Sequence, residues 1–157
     1  MSSTDPAAEE HRRIAAGLAA ILPVLHRTVD RRLVSDFDHP KPPEAHLAVL
    51  RVVDEHEGIT VREVAETLLM KPNNVSALIS KLVDDGAMER HVDPDDKRLV
   101  RLRLTAEARR RSATVDALVT GYIVGALRTM SDGEVAALGS AVGALAELTR
   151  QVQPRNT

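Results

Sequence analysis

Asn73, Asn74, Ser76, Ala77, Ser80 and Lys81 fall on one side of a segment whose other side, Val75, Leu78, Ile79 and Leu82, repeats at i, i+3, i+4 and i+7. That spacing predicts an amphipathic helix. Its polar side carries chemistry suited to base edges. An asparagine amide pairs with adenine, a hydroxyl with either base, and a small alanine permits close approach or contact with a thymine methyl. Lys71 and Lys81 flank this face and can neutralise phosphates. Pro72 suits the first helical position, and Asp84-Asp85-Gly86 closes the helix with Gly86 as a left-handed cap. Asparagine and serine are also common at helix starts as plain caps. The neighbouring elements must therefore decide whether the face is a reading surface or merely a solvated one.

Those neighbours have a definite order. Thr60 with Glu63 three residues on is a capping box, and Val64, Ala65 and Leu68 form the buried face of the short helix it opens. Helix N-termini attract phosphate, which adds Thr60, Val61 and Arg62 as candidates. After Gly86 the period changes: Ala87–Val92 reads as a strand and Asp93-Pro-Asp-Asp96 as a turn. Val100, Leu102 and Leu104 then alternate with Arg101, Arg103 and Thr105, predicting a half-buried strand with a basic outer face. Lys97, Arg98, Arg101, Arg103, Arg109, Arg110 and Arg111 fall within fifteen positions. Helix, tight turn, helix and charged hairpin together describe a winged helix-turn-helix. Its second short helix would enter a major groove while Lys97 and Arg98 on the hairpin tip reach the flanking backbone or minor groove.

The remaining chain is helical in pattern. Residues 1–8 read as a disordered tail. From Glu9, Ile14, Leu18, Ile21, Leu25, Val29 and Leu33 make one narrow apolar stripe, with a kink expected at Pro23. So long a helix with so narrow a stripe implies packing against another chain. Asp38-His-Pro-Lys-Pro-Pro43 is a break. Pro42 and Pro43 are expected in the first turn of a helix that runs to Glu57, with Leu47, Leu50 and Val53 inward, and Gly58 ends it. Thr105 caps a helix expected to reach Met130, where Gly121 and Gly125 permit close helix approach. Ser131 and Glu134 form another capping box, opening a final helix through Val135, Leu138, Val142, Leu145 and Val152 towards Pro154. The expected fold is mainly α with a small β-hairpin wing. Residues 38–105 form a winged helix-turn-helix DNA-binding domain, and residues 9–37 and 106–152 a helical dimerisation region.

Composition removes several classes. With no cysteine among 157 residues, disulfide scaffolds, Cys-ligated zinc, iron–sulfur clusters and thiol switches are excluded. Phe37 and Tyr122 are the only aromatics, too few for a surface that stacks single-stranded bases. No apolar run approaches a membrane span and the start is no signal peptide, so a cytoplasmic protein is expected. No nucleophile elbow, phosphate loop or dinucleotide turn is present, and no enzyme is expected. The net charge of −2 hides an asymmetry, since residues 60–111 hold 11 Lys+Arg against 9 Asp+Glu. Phosphate binding needs that local excess and not a basic total. Of the six histidines, His11, His26, His39, His46, His56 and His91, only His26 has helical ligand spacing, to Asp30. None forms a recognised ligand motif, so no metal and no cofactor is expected.

Specific residues carry a family resemblance. Ala65-Glu66-Thr-Leu68, Pro72-x-x-Val75-Ser76-x-Leu78-Ile79-x-Lys81-Leu82-x-x-x-Gly86-x-x-Glu89-Arg90, Asp93-Pro94-Asp95-Asp96-Lys97-Arg98-x-Val100 and Leu104-Thr105-x-Glu107 resemble the MarR family of bacterial transcription regulators. The resemblance covers about residues 10–152 and is most specific from Ala65 to Glu107. It implies a homodimer whose two winged lobes read an inverted repeat in double-stranded DNA. A repressor released by a small-molecule effector is the implied mode of action; basic Arg27, Arg31 and Arg32 on the first helix could pair an acidic effector or be ordinary surface charges, the reading that residue type alone favours, so no effector site is fixed. It adds Arg90 to the DNA-binding candidates and makes Asp96 and Arg98 a pair that braces the wing. Three positions depart from the pattern: Lys71 replaces a Ser/Thr cap, Leu69 the turn glycine, and Lys97 a frequent arginine. A metal- or pH-responsive winged-helix regulator and a winged-helix protein adaptor without specific DNA binding are the competing readings.

Overall fold

The structure, a computed structural model, describes residues 5–152. The order of elements is α1 (Pro6–Asp36), α2 (Glu44–Glu55), α3 (Val61–Thr67), α4 (Pro72–Asp84), β1 (Met88–Val92), β2 (Val100–Leu104), α5 (Ala106–Leu127) and α6 (Asp132–Val152). The chain divides into two compact units, residues 1–117 and 118–157.

Several boundaries differ from the sequence reading, each for a local reason. The tail expected over residues 1–8 is helical from Pro6, because Asp5 caps the helix: its carboxylate accepts the Ala7 N–H at 3.1 Å. Residues 1–4 lie outside the described residues. Helix α1 continues through Pro23 as one assigned helix. Pro43 is the N-cap of α2 and not part of its first turn, since its ψ of 149° is extended and its carbonyl receives the His46 and Leu47 N–H groups. Helix α2 stops at Glu55, and its fully buried residues are Val49, Val52 and Val53, while Leu47 and Leu50 are only partly covered. Helix α5 ends at Leu127 and not at Met130, where i→i−3 bonds from Thr129 and Met130 tighten the chain before the Ser131–Glu134 capping box. The expected end of α6 near Pro154 lies outside the described residues.

The core of the first unit gathers Val49, Val52 and Val53 of α2, Val64 and Ala65 of α3, Val75, Ile79 and Leu82 of α4, Met88 of β1, and Leu102 and Leu104 of β2. Full burial of such side chains stabilises by roughly 1.5–3 kcal/mol each, so α4 is pinned by one apolar face and its rotation is set. The hairpin is antiparallel with Met88 opposite Leu104 and Val92 opposite Val100. A feature absent from the sequence reading extends it. Thr60 bridges Arg101, Gly58 N–H donates to Leu102 O (3.0 Å) and Leu102 N–H to Ile59 O (2.9 Å), so the segment before α3 lies against β2.

Helices α3 and α4 end in the same hydrogen-bond motif. After α4, Gly86 N–H reaches Val83 O and Ala87 N–H reaches Leu82 O. After α3, Leu69 N–H reaches Glu66 O and Met70 N–H reaches Ala65 O. Both pivots are left-handed, Gly86 at φ 70° and Leu69 at φ 53°. Glycine adopts that region freely, whereas a Cβ crowds the following carbonyl. The Leu69 side chain is largely exposed, so it gains little from burial in return. Leu69→Gly is expected to raise unfolding stability by about 0.5–1 kcal/mol, read from the midpoint in urea. Unchanged or lowered stability would show that the leucine makes contacts outweighing its strain.

Candidate nucleic-acid interface

Three buried residues, Val75, Ile79 and Leu82, hold α4 so that Asn73, Asn74, Ala77 and Lys81 face outward, with Ser76 and Ser80 half-buried at the edge. Pro72 opens the helix and Lys71 occupies the N-cap without a side-chain cap bond. The helix start thus offers exposed amides and a cation. Arg90 of β1 reaches back to α4, its Nη2 donating to Ser80 Oγ at 2.9 Å. Ser80 and Arg90 are therefore one linked unit between helix and hairpin.

Charge pairing separates the candidate cations into two groups. Lys81 Nζ lies 2.8 Å from Asp85 and Arg62 Nε 2.8 Å from Glu66, both one helical turn apart. The hydrogen bond to Asp85 raises the Lys81 pKa, and that to Glu66 raises Arg62's. Such exposed pairs are worth little and exchange readily for phosphate. By contrast, among the described residues the side chains of Lys71, Lys97 and Arg98 make no ion pair within 4 Å.

At the start of α3 the capping box is complete. The Glu63 N–H donates to Thr60 Oγ1 (3.3 Å), while the Glu63 carboxylate receives the Thr60 N–H (2.8 Å) and hydroxyl (2.7 Å). The Thr60 backbone and hydroxyl bonds hold the Glu63 carboxyl below its usual range, with Arg101 adding to the effect. This helix terminus is thus already served by a carboxylate, which weakens the case for phosphate at Thr60.

The wing turn has its own polar skeleton. Asp93 Oδ1 accepts the N–H groups of Asp95 (2.9 Å) and Asp96 (3.1 Å), and Asp96 Oδ1 accepts the Arg98 N–H (3.0 Å). Asp96 and Arg98 are therefore coupled through backbone, not through the guanidinium that a side-chain brace requires. The ion pair in this region is instead Asp93–Arg101, at 2.6 Å, with Arg101 Nη1 also donating to Gly58 O at 3.1 Å. Arg101 drives the Asp93 carboxyl below its usual range first, with the Asp96 and Asp95 N–H groups adding to it. The sequence reading placed Arg101 on a basic outer face. Its only early signal was that an arginine and an acidic turn would face each other across a two-stranded hairpin. Arg103 and Arg109 turn to Glu57 at 3.6 and 3.4 Å.

The remaining candidates lie elsewhere. On α1, His26 stands 3.4 Å from Asp30, which takes Lys41 at 2.7 Å. A shallow cleft of about 290 Å³ is lined by Val34, Phe37, Asp38, His39, Pro40 and Lys41. Arg27 and Arg31 are exposed on α1 outside that lining. Among the described residues no helix is long and apolar enough to cross a membrane.

This geometry, a polar helix face seated on a small core beside a braced cationic hairpin, is that of a winged helix-turn-helix. The sequence pattern of the MarR family matches residues 42–99, the segment that holds α2, α3, α4, β1 and the wing turn. No curated protein matches it significantly in sequence. Among solved structures, a Pseudomonas aeruginosa PA01 protein described as a transcriptional regulator is 28% identical, with a TM-score of 0.73 over 93% of this chain and 98% of that one. Streptococcus pneumoniae FabT in complex with DNA is 21% identical, with a TM-score of 0.69 over 91% of this chain and 99% of that one. S. aureus MepR bound to ethidium bromide is 15% identical, with a TM-score of 0.64 over 86% and 96%. The chain therefore has the fold of a MarR-family transcription regulator over nearly its whole length.

Proposed function

We propose that the protein is a cytoplasmic homodimeric repressor that binds an inverted repeat in double-stranded DNA and leaves it when a small molecule binds. The observation that carries this reading is the outward amide face of α4 together with three cations, Lys71 at its start and Lys97 and Arg98 in the wing turn, that make no ion pair among the described residues. Phosphate contacts position such a lobe and base contacts specify the site. In this reading Asn73, Asn74, Ser76, Ala77 and the Ser80–Arg90 unit read bases, and Lys71, Lys97 and Arg98 meet phosphates. Thr60, Arg62 and Lys81 stand second, because their groups are already engaged. The FabT complex with DNA supports the surface, and MepR with ethidium supports release by a ligand.

Dimerisation is supported by the long helices. Helices α1, α5 and α6 contain no buried residue, yet expose Ile21, Leu25, Val34, Ile123, Val142 and Val152. Apolar surface on this scale is unfavourable in water and marks an interaction face. Among the described residues no heavy atom outside the local helix backbone comes within 4 Å of an added Cβ at Gly121 or Gly125. That open space is compatible with the close helix approach expected at these glycines being made by a second copy.

The test is titration of duplexes from upstream of the protein's own and neighbouring genes across a salt series. Specific binding with a steep salt dependence is expected. Lys97→Ala should weaken binding to all sequences alike and reduce the slope of log K against log salt by about 1. Absence of sequence preference at moderate salt would sink the repressor reading and favour the adaptor.

A further inference from the structure

The tip of the wing has almost no apolar anchor. Its last cross-strand pair, Val92 and Val100, is 62% and 37% exposed, and Leu99 is 38% exposed. The nearest fully buried residue of the hairpin is Leu102, two positions into β2. Between the exposed ends hang Lys97 and Arg98 on a turn of seven residues, 93–99. Flexible backbone carrying two like charges would sample many orientations, and each would have to be lost on binding.

Polar bonds supply what packing does not. Asp93 is 8% exposed, and both its carboxylate oxygens are engaged: Oδ1 gathers the Asp95 and Asp96 N–H groups, Oδ2 takes Arg101 Nε. Arg101 then spans outward from the wing. Its Nη1 bonds Gly58 O, and its backbone bridges Thr60, immediately before α3. Gly58 is left-handed at φ 84°, and an added Cβ there would sit 3.6 Å from Arg101 Cδ, so the guanidinium stem lies close against this backbone. One ion pair therefore joins the wing turn to the segment that opens α3.

We infer that the Asp93–Arg101 pair is a latch that positions Lys97 and Arg98 relative to α3 and α4, without itself touching nucleic acid. The inference deepens the DNA-binding reading above and rests on it for its consequence, though not for its structural part. Asp93 and Arg101 are positioning residues. Their loss should act through Lys97 and Arg98 and leave the reading face of α4 unchanged.

Two variants and two measurements test it. Asp93→Asn keeps an oxygen for the two turn N–H groups and removes the charge facing Arg101; Arg101→Gln removes the cation. Amide hydrogen exchange on the free protein is expected to quicken over residues 93–101 and at Gly58 in Asp93→Asn, with α4 unchanged. Duplex affinity should fall about tenfold for all sequences alike, as for a lost preorganised contact. Arg98→Ala should then cost at least about threefold less in the Asp93→Asn background than in the wild type, the non-additivity expected of coupled sites. Equal costs of Arg98→Ala in both backgrounds, or unaltered exchange, overturn the latch. If Arg101→Gln unfolds the lobe, Asp93→Asn decides alone. If the wild type binds no duplex, the DNA reading fails, and exchange in Asp93→Asn still decides the latch.

Discussion

Ile79→Ala is expected to lower the unfolding free energy of the winged lobe by about 2–5 kcal/mol, measured by urea or thermal denaturation. Ile79 is fully buried, in one core with Val49, Val53 and Val64 of α2 and α3 and Leu102 of β2. Removing three carbons at such a centre forfeits their transfer free energy and leaves a cavity that the surrounding helices cannot fully close. Small domains are stable by only about 5–15 kcal/mol, so the loss is a large share of the total. Ile79→Val, which removes one methylene, should cost about 0.5–1.5 kcal/mol and grade the effect. Loss below 1 kcal/mol for the alanine variant would mean that the lobe's core is not organised around α4. Affinity for any duplex should fall together with stability, because the same side chain holds the outward face of α4 in place.

Asn73→Ala and Asn74→Ala should do the opposite: little to stability and much to specificity. Both side chains are exposed in the first turn of α4, and surface changes of this kind usually stay within about 0.5 kcal/mol. Each amide that makes a bidentate contact to adenine is worth about 1–3 kcal/mol of discrimination against the wrong base. The expected result is a loss of preference by roughly ten- to a hundredfold, with non-specific affinity and its salt slope retained. Lys97→Ala is the control, since it should lower affinity while leaving preference unchanged. Equal, sequence-blind losses from all three substitutions would contradict the division between reading and positioning. Competition titrations with single-base variants of the bound duplex measure both quantities in one experiment.

What could be read along the chain was whatever is decided within a few residues. The i, i+3, i+4, i+7 pattern of Val75, Leu78, Ile79 and Leu82 placed α4 and its outward face, and all three of its buried residues, Val75, Ile79 and Leu82, fell where the period put them. The capping boxes at Thr60–Glu63 and Ser131–Glu134 and the cap at Thr105 were likewise local, and all three form the expected bonds. Gly86 closes α4 in the left-handed region for the same reason. Periodicity was weaker where a helix is covered from more than one side. In α2 the apolar residues fall at 47, 49, 50, 52 and 53, and choosing Val49 and Val52 over Leu47 and Leu50 depends on where β2 and α4 lie.

The sequence by itself determined the order of elements, the amphipathic face of α4 and the cationic tip of the hairpin, because period, caps and turns are settled by near neighbours in the chain. Only the tertiary structure decided which charges are engaged. Arg101 looked like one more cation of a basic strand, yet it bonds Gly58, 43 positions away, and a carboxylate across the hairpin. Arg109 likewise meets Glu57, 52 positions away. Ion pairs form between groups brought within about 4 Å by packing, and no spacing rule along a strand encodes that distance. Among the described residues, the same packing leaves Lys71 at the start of α4 and Lys97 and Arg98 in the wing turn without an ion-pair partner within 4 Å.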